Sequence, residues 1–277
     1  MKLNGRQIHV QYFAAGEPEI SNEFVKWLGR GINILEVRYR DDRDLMEAYY
    51  VKRKCSELGY ELILDFSYMP HGRMDKDFKG KVCTLPYVCD FINWQRFKGV
   101  VVYGPHSKKT TDLLENAIEI KVVEEWLPIV MERVGFSKEY DHIVLPDLGG
   151  EERFEALTHE YSTIFFKKER DEITGIPTVT HEKGEVNKNS LCIIVEDIAG
   201  KGTTSLLTAT QLREMGARIV ILLVCHFEET VFKGKMLSED SPIAEIYTSS
   251  TLTDQEHEKI TYLKVNVKEH VKKILSQ

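Results

Sequence analysis

The sequence lacks the features of a secreted, disulfide-bonded or membrane-spanning protein. Its five cysteines among 277 residues are an odd number with no Cys-x-x-Cys pair, so neither a disulfide framework nor a zinc site is indicated. No apolar run approaches the ~20 residues that a membrane helix needs. The first residues also lack the apolar stretch of a signal peptide. We therefore expect reduced thiols, a cytoplasmic location and no membrane partner.

Positive charge is also scarce. Lys and Arg number 37 against 44 Asp and Glu, which gives a formal net charge of −7. A protein that binds nucleic acid through bulk charge carries the opposite balance, so no nucleic-acid partner is expected. A local cluster of cations could still bind a phosphorylated small molecule.

What the sequence does contain is an alternation of short β-branched runs and longer amphipathic stretches. Several runs are apolar throughout, which is typical of strands covered on both faces. We predict strands at 34–39, 61–66, 99–103, 143–145, 162–166, 191–196, 218–225 and 245–248, and helices at 44–58, 85–97, 118–134, 150–160, 203–215 and 267–275. This alternation predicts parallel sheets with right-handed crossovers. It occurs twice, which indicates two α/β lobes at 1–135 and 136–265, with the terminal helix in 266–277 assigned to the first lobe.

A polar segment containing Gly and Pro, between Arg170 and Ser190, interrupts the second lobe. A loop of about 20 residues inside a compact domain is unusual and is often a lid. A solvated β-hairpin is the alternative interpretation of the same residues.

The strongest local signal lies at residues 191–204, where an apolar strand runs into Glu196 and Asp197, then a Gly/Thr loop, then a helix. The N–H groups of such a loop and of the helix N-terminus favour an anion, and the threonine hydroxyls add donors. The two carboxylates can accept hydrogen bonds from sugar hydroxyls, and Lys201 adds positive charge. A plain strand–turn–helix with a capping threonine is the alternative.

This loop resembles the PRPP loop of type I phosphoribosyltransferases and of ribose-phosphate pyrophosphokinases (PRPP synthetases), where two acidic residues and two variable ones precede Asp-Thr-Gly-Gly-Thr. Other segments resemble PRPP synthetases specifically. In order they are 44–47 (Asp-Leu-Met-Glu, family Asn-Leu-Met-Glu), 68–76 (Tyr-Met-Pro-His-Gly-Arg-Met-Asp-Lys, family Tyr-Phe-Gly-Tyr-Ala-Arg-Gln-Asp-Arg), 103–106 (Tyr-Gly-Pro-His, family Asp-Leu-His), 145–150 (Leu-Pro-Asp-Leu-Gly-Gly, family Pro-Asp-Ile-Gly-Gly), 166–170 (Phe-Lys-Lys-Glu-Arg, family Asp-Lys-Arg-Arg) and 225–226 (Cys-His, family Thr-His). The ordered set extends from about residue 44 to 252.

The resemblance implies an α/β fold of two tandem phosphoribosyltransferase-like lobes, each a mainly parallel sheet flanked by helices. It implies transfer of the β,γ-diphosphate of ATP to the anomeric 1-hydroxyl of a ribose 5-phosphate group, with release of AMP and a requirement for Mg²⁺. The residue roles that it implies are catalysis by Lys168, Arg170 and Asp197; ribose-phosphate binding by Asp147, Glu196, Asp197, Ala199, Gly200, Lys201, Gly202, Thr203 and Thr204; ATP binding by Arg73, Asp75 and His106; and metal binding by His106 and Asp147.

Each of these residues also has a plainer interpretation when it is taken alone. His106 is a typical structural histidine at a strand end, and Asp147 with the following glycines is typical of a turn that caps a helix. Lys168 and Arg170 belong to a charge run of the kind that usually faces solvent. Arg73 and Asp75 are compatible with an ion pair on a surface turn.

The sequence departs from the family pattern at three places. Gly200 replaces an Asp, which is expected to remove negative charge and open space, while Lys201 adds positive charge. Met74 replaces a Gln, and a hairpin with a Phe-x-Asp-Gly-Glu pattern near the N-terminus is expected to be missing. Some viral relatives of PRPP synthetase use ADP-ribose during NAD rebuilding. The acceptor is therefore ribose 5-phosphate, giving PRPP, or ADP-ribose, and the location is the host cytoplasm if the source is viral.

Two other functions stay open at this point. One is a phosphoribosyltransferase that consumes PRPP, although the resemblances at 68–76 and at His106 concern ATP use. The other is a non-catalytic regulatory subunit like the PRPP synthetase-associated proteins. For the pyrophosphokinase, the expected partners are ATP, ribose 5-phosphate or ADP-ribose, and further copies of the chain in a dimer or hexamer.

Overall fold

A computed structural model describes residues 1–77, 80–171 and 177–276. The chain divides into two compact units, Met1–Ile120 with Asn266–Gln277, and Lys121–Val265. Each unit has its own mainly parallel sheet flanked by helices, so the predicted α/β class is confirmed. The division falls after Ile120, whereas the sequence pattern placed the lobe boundary at 135/136.

The first unit is built on a six-stranded sheet in the order β2-β1-β5-β6-β7-β8. Its elements are β1 (Lys2–Leu3), β2 (Arg6–Gln7), β3 (Val10–Tyr12), β4 (Pro18–Ile20), a 3₁₀ helix (Asn22–Trp27), β5 (Asn33–Glu36), α1 (Arg43–Glu57), β6 (Leu62–Asp65), α2 (Leu85–Trp94), β7 (Gly99–Tyr103), α3 (Lys109–Leu113) and β8 (Ala117–Ile120). Strands β5 to β8 are parallel, and β1 joins them antiparallel to β5. Buried Ala48, Val51 and Cys55 recur at helical spacing along α1 and join the core that includes Leu62 and Leu64 of β6.

The N-terminal region contains hairpins that the sequence pattern did not predict. Strands β3 and β4 pair antiparallel around a turn in which Phe13 N–H donates to Glu17 O at 3.0 Å and Gly16 N–H donates to Phe13 O at 2.8 Å. The expectation that a hairpin near the N-terminus is missing is therefore wrong. The turn reads Phe-Ala-Ala-Gly-Glu, which keeps Phe13, Gly16 and Glu17 of the Phe-x-Asp-Gly-Glu pattern and places Ala15 where that pattern has Asp.

The stretch predicted as one helix at 118–134 is a strand followed by a helix. In β8 the exposed Glu119 lies between the buried Ile118 and Ile120, which is a two-residue alternation, and the helix begins only at Val122. Isoleucines two residues apart fit the start of a helix about as well as a short strand, so pattern alone could not separate them.

The second unit is built on a seven-stranded sheet in the order β11-β10-β9-β12-β13-β14-β15. Its elements are α4 (Val122–Val134), β9 (His142–Leu145), α5 (Gly149–Arg153), α6 (Glu155–Glu160), β10 (Thr163–Arg170), β11 (Pro177–Lys183), β12 (Leu191–Ala199), α7 (Thr203–Glu214), β13 (Ile219–Phe227), a 3₁₀ helix (Glu229–Lys233), β14 (Glu245–Thr248) and β15 (Ile260–Tyr262). All of its paired strands are parallel except β11, which runs antiparallel to β10 at one edge.

The segment predicted as a lid is in part a hairpin. Strand β11 pairs with β10 from Arg170↔Pro177 to Phe165↔Lys183. Pro177 and Val179 are buried while Thr178 and Thr180 are exposed, which is the alternation of a half-buried edge strand. Residues 172–176 of the same segment lie outside the described residues.

The terminal helix α8 (Val267–Leu275) lies where the sequence pattern predicted it and packs near β8 in the first unit. Asn266 caps it by accepting a hydrogen bond from Glu269 N–H at 3.4 Å. Within 1–77, 80–171 and 177–276, no helix has the length and apolar character needed to cross a membrane. The five cysteines carry free thiols.

Candidate functional site

The central loop of the candidate site connects β12 to α7 in the second unit. We call residues 199–204 the phosphate loop. Gly202, which precedes the first turn of α7, has a φ of +71°, where side chains are disfavoured. A Cβ at this position would also overlap the methyl group of Met236. Glycine at this position therefore lets the loop pack against the Met236 side chain just before the N-terminus of α7, where free N–H groups favour an anion.

The two acidic residues that precede the loop point in different directions, because successive strand side chains alternate between faces. Glu196 Oε2 accepts a hydrogen bond of 2.5 Å from the Ser205 hydroxyl in α7. Asp197 Oδ1 accepts one of 2.8 Å from Arg153 Nη1 in α5. Both carboxylates are buried. Two different helices therefore hold the pair that sequence analysis assigned to the ribose hydroxyls.

Burial raises the pKa of Glu196 from its ordinary 4.5 to about 7. The hydrogen bond from Ser205 and the positive charge of Lys168 oppose this rise, while the negative charges of Asp197 and Asp147 add to it. The charges of three other predicted site residues, at 147, 168 and 197, thus act on the Glu196 carboxyl.

The raised pKa of Glu196 predicts a stability that falls as the pH rises. The folded chain binds this proton more tightly than the unfolded chain. The contribution of Glu196 to the free energy of unfolding is therefore complete below pH 4.5 and is lost as the pH rises past 7. Burial raises the pKa of Asp65 to about 7 as well, and this has the same sign. We expect Glu196 alone to lower the free energy of unfolding by about 2 kcal/mol between pH 5.5 and 8.5.

Urea unfolding of the wild type and of Glu196→Gln at the two pH values measures this loss. The variant should lose less stability than the wild type by about that amount. Glu182→Gln, at an exposed position of β11, is the control and should follow the wild type. Equal pH slopes in Glu196→Gln and the wild type would contradict the prediction.

Asp147 lies in the turn between β9 and α5. Its Oδ1 accepts the N–H of Gly150 at 2.9 Å, so the side chain caps the short helix as its plainer interpretation predicted. The same helix carries Arg153, the partner of Asp197, which sequence analysis missed. The sequence signal that could have identified Arg153 is its place in Gly-Gly-Glu-Glu-Arg, at the end of the short helix that follows β9. From there its long side chain reaches Asp197 on the neighbouring strand β12.

Lys168 and Arg170 lie on β10, near its pairing with β11. Lys168 is half-buried, and its charge acts on Glu196. The neighbouring Lys167 instead pairs with Glu169 at 2.8 Å on the exposed side of the strand. The side chain of Arg170 lies outside the described residues, so its predicted role stays a prediction.

The structure corrects the expectation that Gly200 opens space in the phosphate loop. A Cβ added at Gly200 would lie 3.2 Å from Oε2 of Glu228, which follows β13. The carboxylate of Glu228 therefore occupies the position next to the loop, and negative charge is still present there. Lys201 is exposed, whereas Thr204 is buried.

The residues predicted to bind ATP lie in the first unit. Segment 68–76 follows β6, and His106 follows β7. The Cβ position of Gly72 is 3.9 Å from the Cβ of His106, so the two segments touch. Lys109 Nζ donates to Asp75 O at 2.5 Å and secures the segment to α3. Arg73 is exposed.

Segment 68–76 is also anchored through His71, whose φ is +59°. One ring nitrogen lies 2.7 Å from the Thr84 hydroxyl at the start of α2, and the other lies 2.9 Å from Asp42 Oδ1 at the start of α1. The hydrogen bond with His71 lowers the pKa of Asp42. Two helix N-termini therefore fix the segment that contains Arg73 and Asp75.

In the described part of the chain, no group of three or more His, Cys, Asp and Glu side chains is arranged to hold a metal ion. Mg²⁺ usually binds through one or two carboxylates together with substrate phosphates and water. The Asp147 carboxylate, with one oxygen engaged by Gly150, fits such a sparse site. The second predicted metal residue, His106, belongs to the other unit.

Comparison with known proteins agrees with this arrangement. No protein-family model matches the sequence. The chain is 27% identical to ribose-phosphate pyrophosphokinase from Pyrococcus abyssi over 229 residues, which cover 79% of this chain and 75% of that protein. It is 25% identical to ribose-phosphate pyrophosphokinase 4 from Saccharomyces cerevisiae over 57% of this chain and 48% of that protein.

The fold resembles a crystal structure of phosphoribosylpyrophosphate synthetase from Mycobacterium smegmatis. The TM-score is 0.75 at 19% identity, with 98% of this chain and 90% of that chain covered. Two tandem units of phosphoribosyltransferase type, with a strand–loop–helix segment preceded by two carboxylates in the second, define the class of protein. Within that class, the two curated relatives and that crystal structure support the ribose-phosphate pyrophosphokinase (PRPP synthetase) family and a diphosphokinase-type enzyme.

Proposed function

We propose that the chain is an ATP-dependent pyrophosphokinase that acts on a ribose 5-phosphate group. The observation that carries this proposal is the set of charges around the phosphate loop. Glu196 and Asp197 end the strand before the loop, and the charges of Lys168 and Asp147 act on the same carboxyl. An anion-binding loop with carboxylates for sugar hydroxyls and a half-buried lysine suits a ribose phosphate that receives a phosphoryl group.

In this proposal the phosphate loop binds the 5-phosphate through the N–H groups and hydroxyls of residues 199–204. Glu196 and Asp197 accept hydrogen bonds from the ribose hydroxyls, and in the free chain Ser205 and Arg153 hold these carboxylates in place. Prepositioned acceptors of this kind orient the 1-hydroxyl for attack.

The 1-hydroxyl oxygen attacks the β-phosphorus of ATP, and the bond between that phosphorus and the oxygen bridging to the α-phosphate breaks. AMP leaves, and the hydroxyl proton is released. Lys168 and Arg170 are proposed to stabilise charge that develops on the transferred group. Arg73, Asp75 and His106 are proposed to bind ATP. Mg²⁺ bound with the nucleotide would neutralise phosphate charge, and Asp147 in the second unit is its proposed carboxylate ligand. The metal role of His106, in the first unit, stays a prediction.

The acceptor is the part of the proposal that needs the most direct test. Ribose 5-phosphate is the first candidate, because the named relatives are ribose-phosphate pyrophosphokinases. ADP-ribose is the second candidate, and the exposed Lys201 beside the loop favours it because an acceptor with a second phosphate extends past the 5-phosphate. The absence of an Asp at position 200 does not favour ADP-ribose, because Glu228 places a carboxylate beside that position. Assembly as a dimer or hexamer and a cytoplasmic location stay predictions.

AMP release from ATP and Mg²⁺, measured with each acceptor offered separately and with products identified by mass, tests the proposed function. AMP together with an acceptor heavier by one diphosphate is expected with at least one of the two. AMP from neither acceptor would contradict the proposal. PRPP consumption with a free base would then indicate a phosphoribosyltransferase, and activity that appears only on mixing with a catalytic relative would indicate a regulatory subunit.

A further inference from the structure

The segment that follows β13, residues 228–236, lies along the phosphate loop at three points. Glu228 Oε2 faces Gly200, Met236 packs against Gly202, and a Cβ added at Gly234 would lie 3.1 Å from Lys201 O. The two loop glycines leave room for the side chains of Glu228 and Met236, and Gly234 leaves room for the backbone oxygen of Lys201. The segment is therefore the second wall of the loop.

Glu228 is the charged residue of this wall that faces the loop. Its N–H donates to Ala199 O at 3.0 Å, which fixes its backbone beside the start of the loop. Its Oε2 accepts the Thr230 hydroxyl at 3.2 Å and lies 3.2 Å from the position of a Gly200 Cβ. The side chain is half-buried. Both its backbone and its carboxylate are thus set by neighbours, which is how a binding group is held ready for a ligand.

We propose that Glu228 is an acceptor-binding residue that supplies, from the end of β13, the carboxylate that the phosphate loop lacks at position 200. This inference rests on the proposed function, because it concerns the ribose-phosphate acceptor of that reaction. The chemical group that it recognises is a ribose hydroxyl next to the 5-phosphate, which donates a hydrogen bond to a carboxylate.

A purely structural role for Glu228 is the competing explanation, since its backbone already bonds to Ala199. That role depends on the backbone and on the Thr230 contact, both of which a glutamine can retain. A binding role depends on the charge and on its position beside Gly200. Moving the charge from residue 228 to residue 200 therefore separates the two explanations.

The experiment uses the full chain with four variants: Glu228→Gln, Gly200→Asp, the double variant Gly200→Asp/Glu228→Gln, and Glu229→Gln as a matched control. Glu229 is the exposed neighbour in the following 3₁₀ helix. Position 200 lacks the positive φ that would strain an aspartate, so the new side chain is limited only by Glu228. KM for the acceptor, KM for ATP and calorimetric binding of ribose 5-phosphate and of ADP-ribose are measured for each.

We expect Glu228→Gln to raise the acceptor KM by about 10- to 100-fold, the size of a hydrogen bond to a charged group, with KM for ATP unchanged. Gly200→Asp alone should be at least as impaired, because its carboxylate would be attached to a Cβ that lies 3.2 Å from Oε2 of Glu228, so two like charges would lie side by side. The double variant should recover at least tenfold over Gly200→Asp. Glu229→Gln should match the wild type.

An acceptor KM of wild-type size in Glu228→Gln, or no recovery in the double variant, would overturn the inference while AMP release by the wild type leaves the proposed function standing. If the wild type releases no AMP, calorimetry decides: weaker acceptor binding in Glu228→Gln retains Glu228 as a binding residue. Failure of the wild type to bind either acceptor would end both proposals.

Discussion

Replacing Lys168 by alanine is expected to lower kcat by about 10²–10³-fold, with little change in the dissociation constant of ATP. A cation in a half-buried site acts most strongly on charge that appears only in the transition state, and removing one such group has costs of this size. Lys168 already acts on a buried group in the free chain, because its charge lowers the pKa of Glu196. The lysine is half-buried, so its charge is only partly screened by solvent.

The same substitution carries a second expectation for the pH profile. Without Lys168 the pKa of Glu196 rises further, so activity that needs the ionised carboxylate should begin at a higher pH than in the wild type. Rates of AMP release between pH 6 and 9, with ATP affinity measured separately, check both effects. Lys167→Ala is the control, because Lys167 pairs with Glu169 on the exposed side of the same strand. Turnover of wild-type size in Lys168→Ala would remove Lys168 from the mechanism.

The elements that could be predicted from sequence are those whose signal is local. Strand β7 has the predicted bounds, because it is an apolar run between Lys98 and Gly104, and the bounds of β14 are also as predicted. The α8 bounds are also as predicted. The phosphate loop was found for the same reason, since strand, carboxylates, glycines and helix follow one another directly in the chain.

The parts that could not be predicted depend on distant residues or on weak patterns. Strands β3 and β4 are short and mostly exposed, so their composition carries little strand signal. Glu228 lies beside Gly200 only because β12 and β13 are parallel neighbours, with Ala199 opposite Phe227 in the register. Comparison with the family motif shows that position 200 lacks a carboxylate. It cannot show that Glu228, which follows the neighbouring strand β13, places a carboxylate beside that position.

The contact between Arg153 and Asp197 also joins residues that are distant in the chain, so the sequence pattern did not reveal it. Its loss is expected to have the largest effect on stability. In Arg153→Ala the buried carboxylate of Asp197 loses its partner at 2.8 Å. The exposed fractions of the two side chains are 16% and 7%, so water can replace little of the lost interaction. Removing one member of a buried ion pair costs about 3–5 kcal/mol, which corresponds to a fall of about 6–20 °C in Tm for a chain of this size.

Thermal and urea unfolding of Arg153→Ala measure this loss, with Lys138→Ala as the control. Lys138 pairs with Glu160 at 3.1 Å, but both side chains are 55% exposed, so its removal should cost less than about 1 kcal/mol. The double variant Arg153→Ala/Asp197→Asn should regain part of the stability, because an asparagine leaves no uncompensated charge in the buried site. Acceptor binding should stay weak in that variant, since the proposed ribose carboxylate is gone. A loss in Arg153→Ala no larger than in Lys138→Ala would contradict the assignment of Arg153 as the residue that holds Asp197 in place.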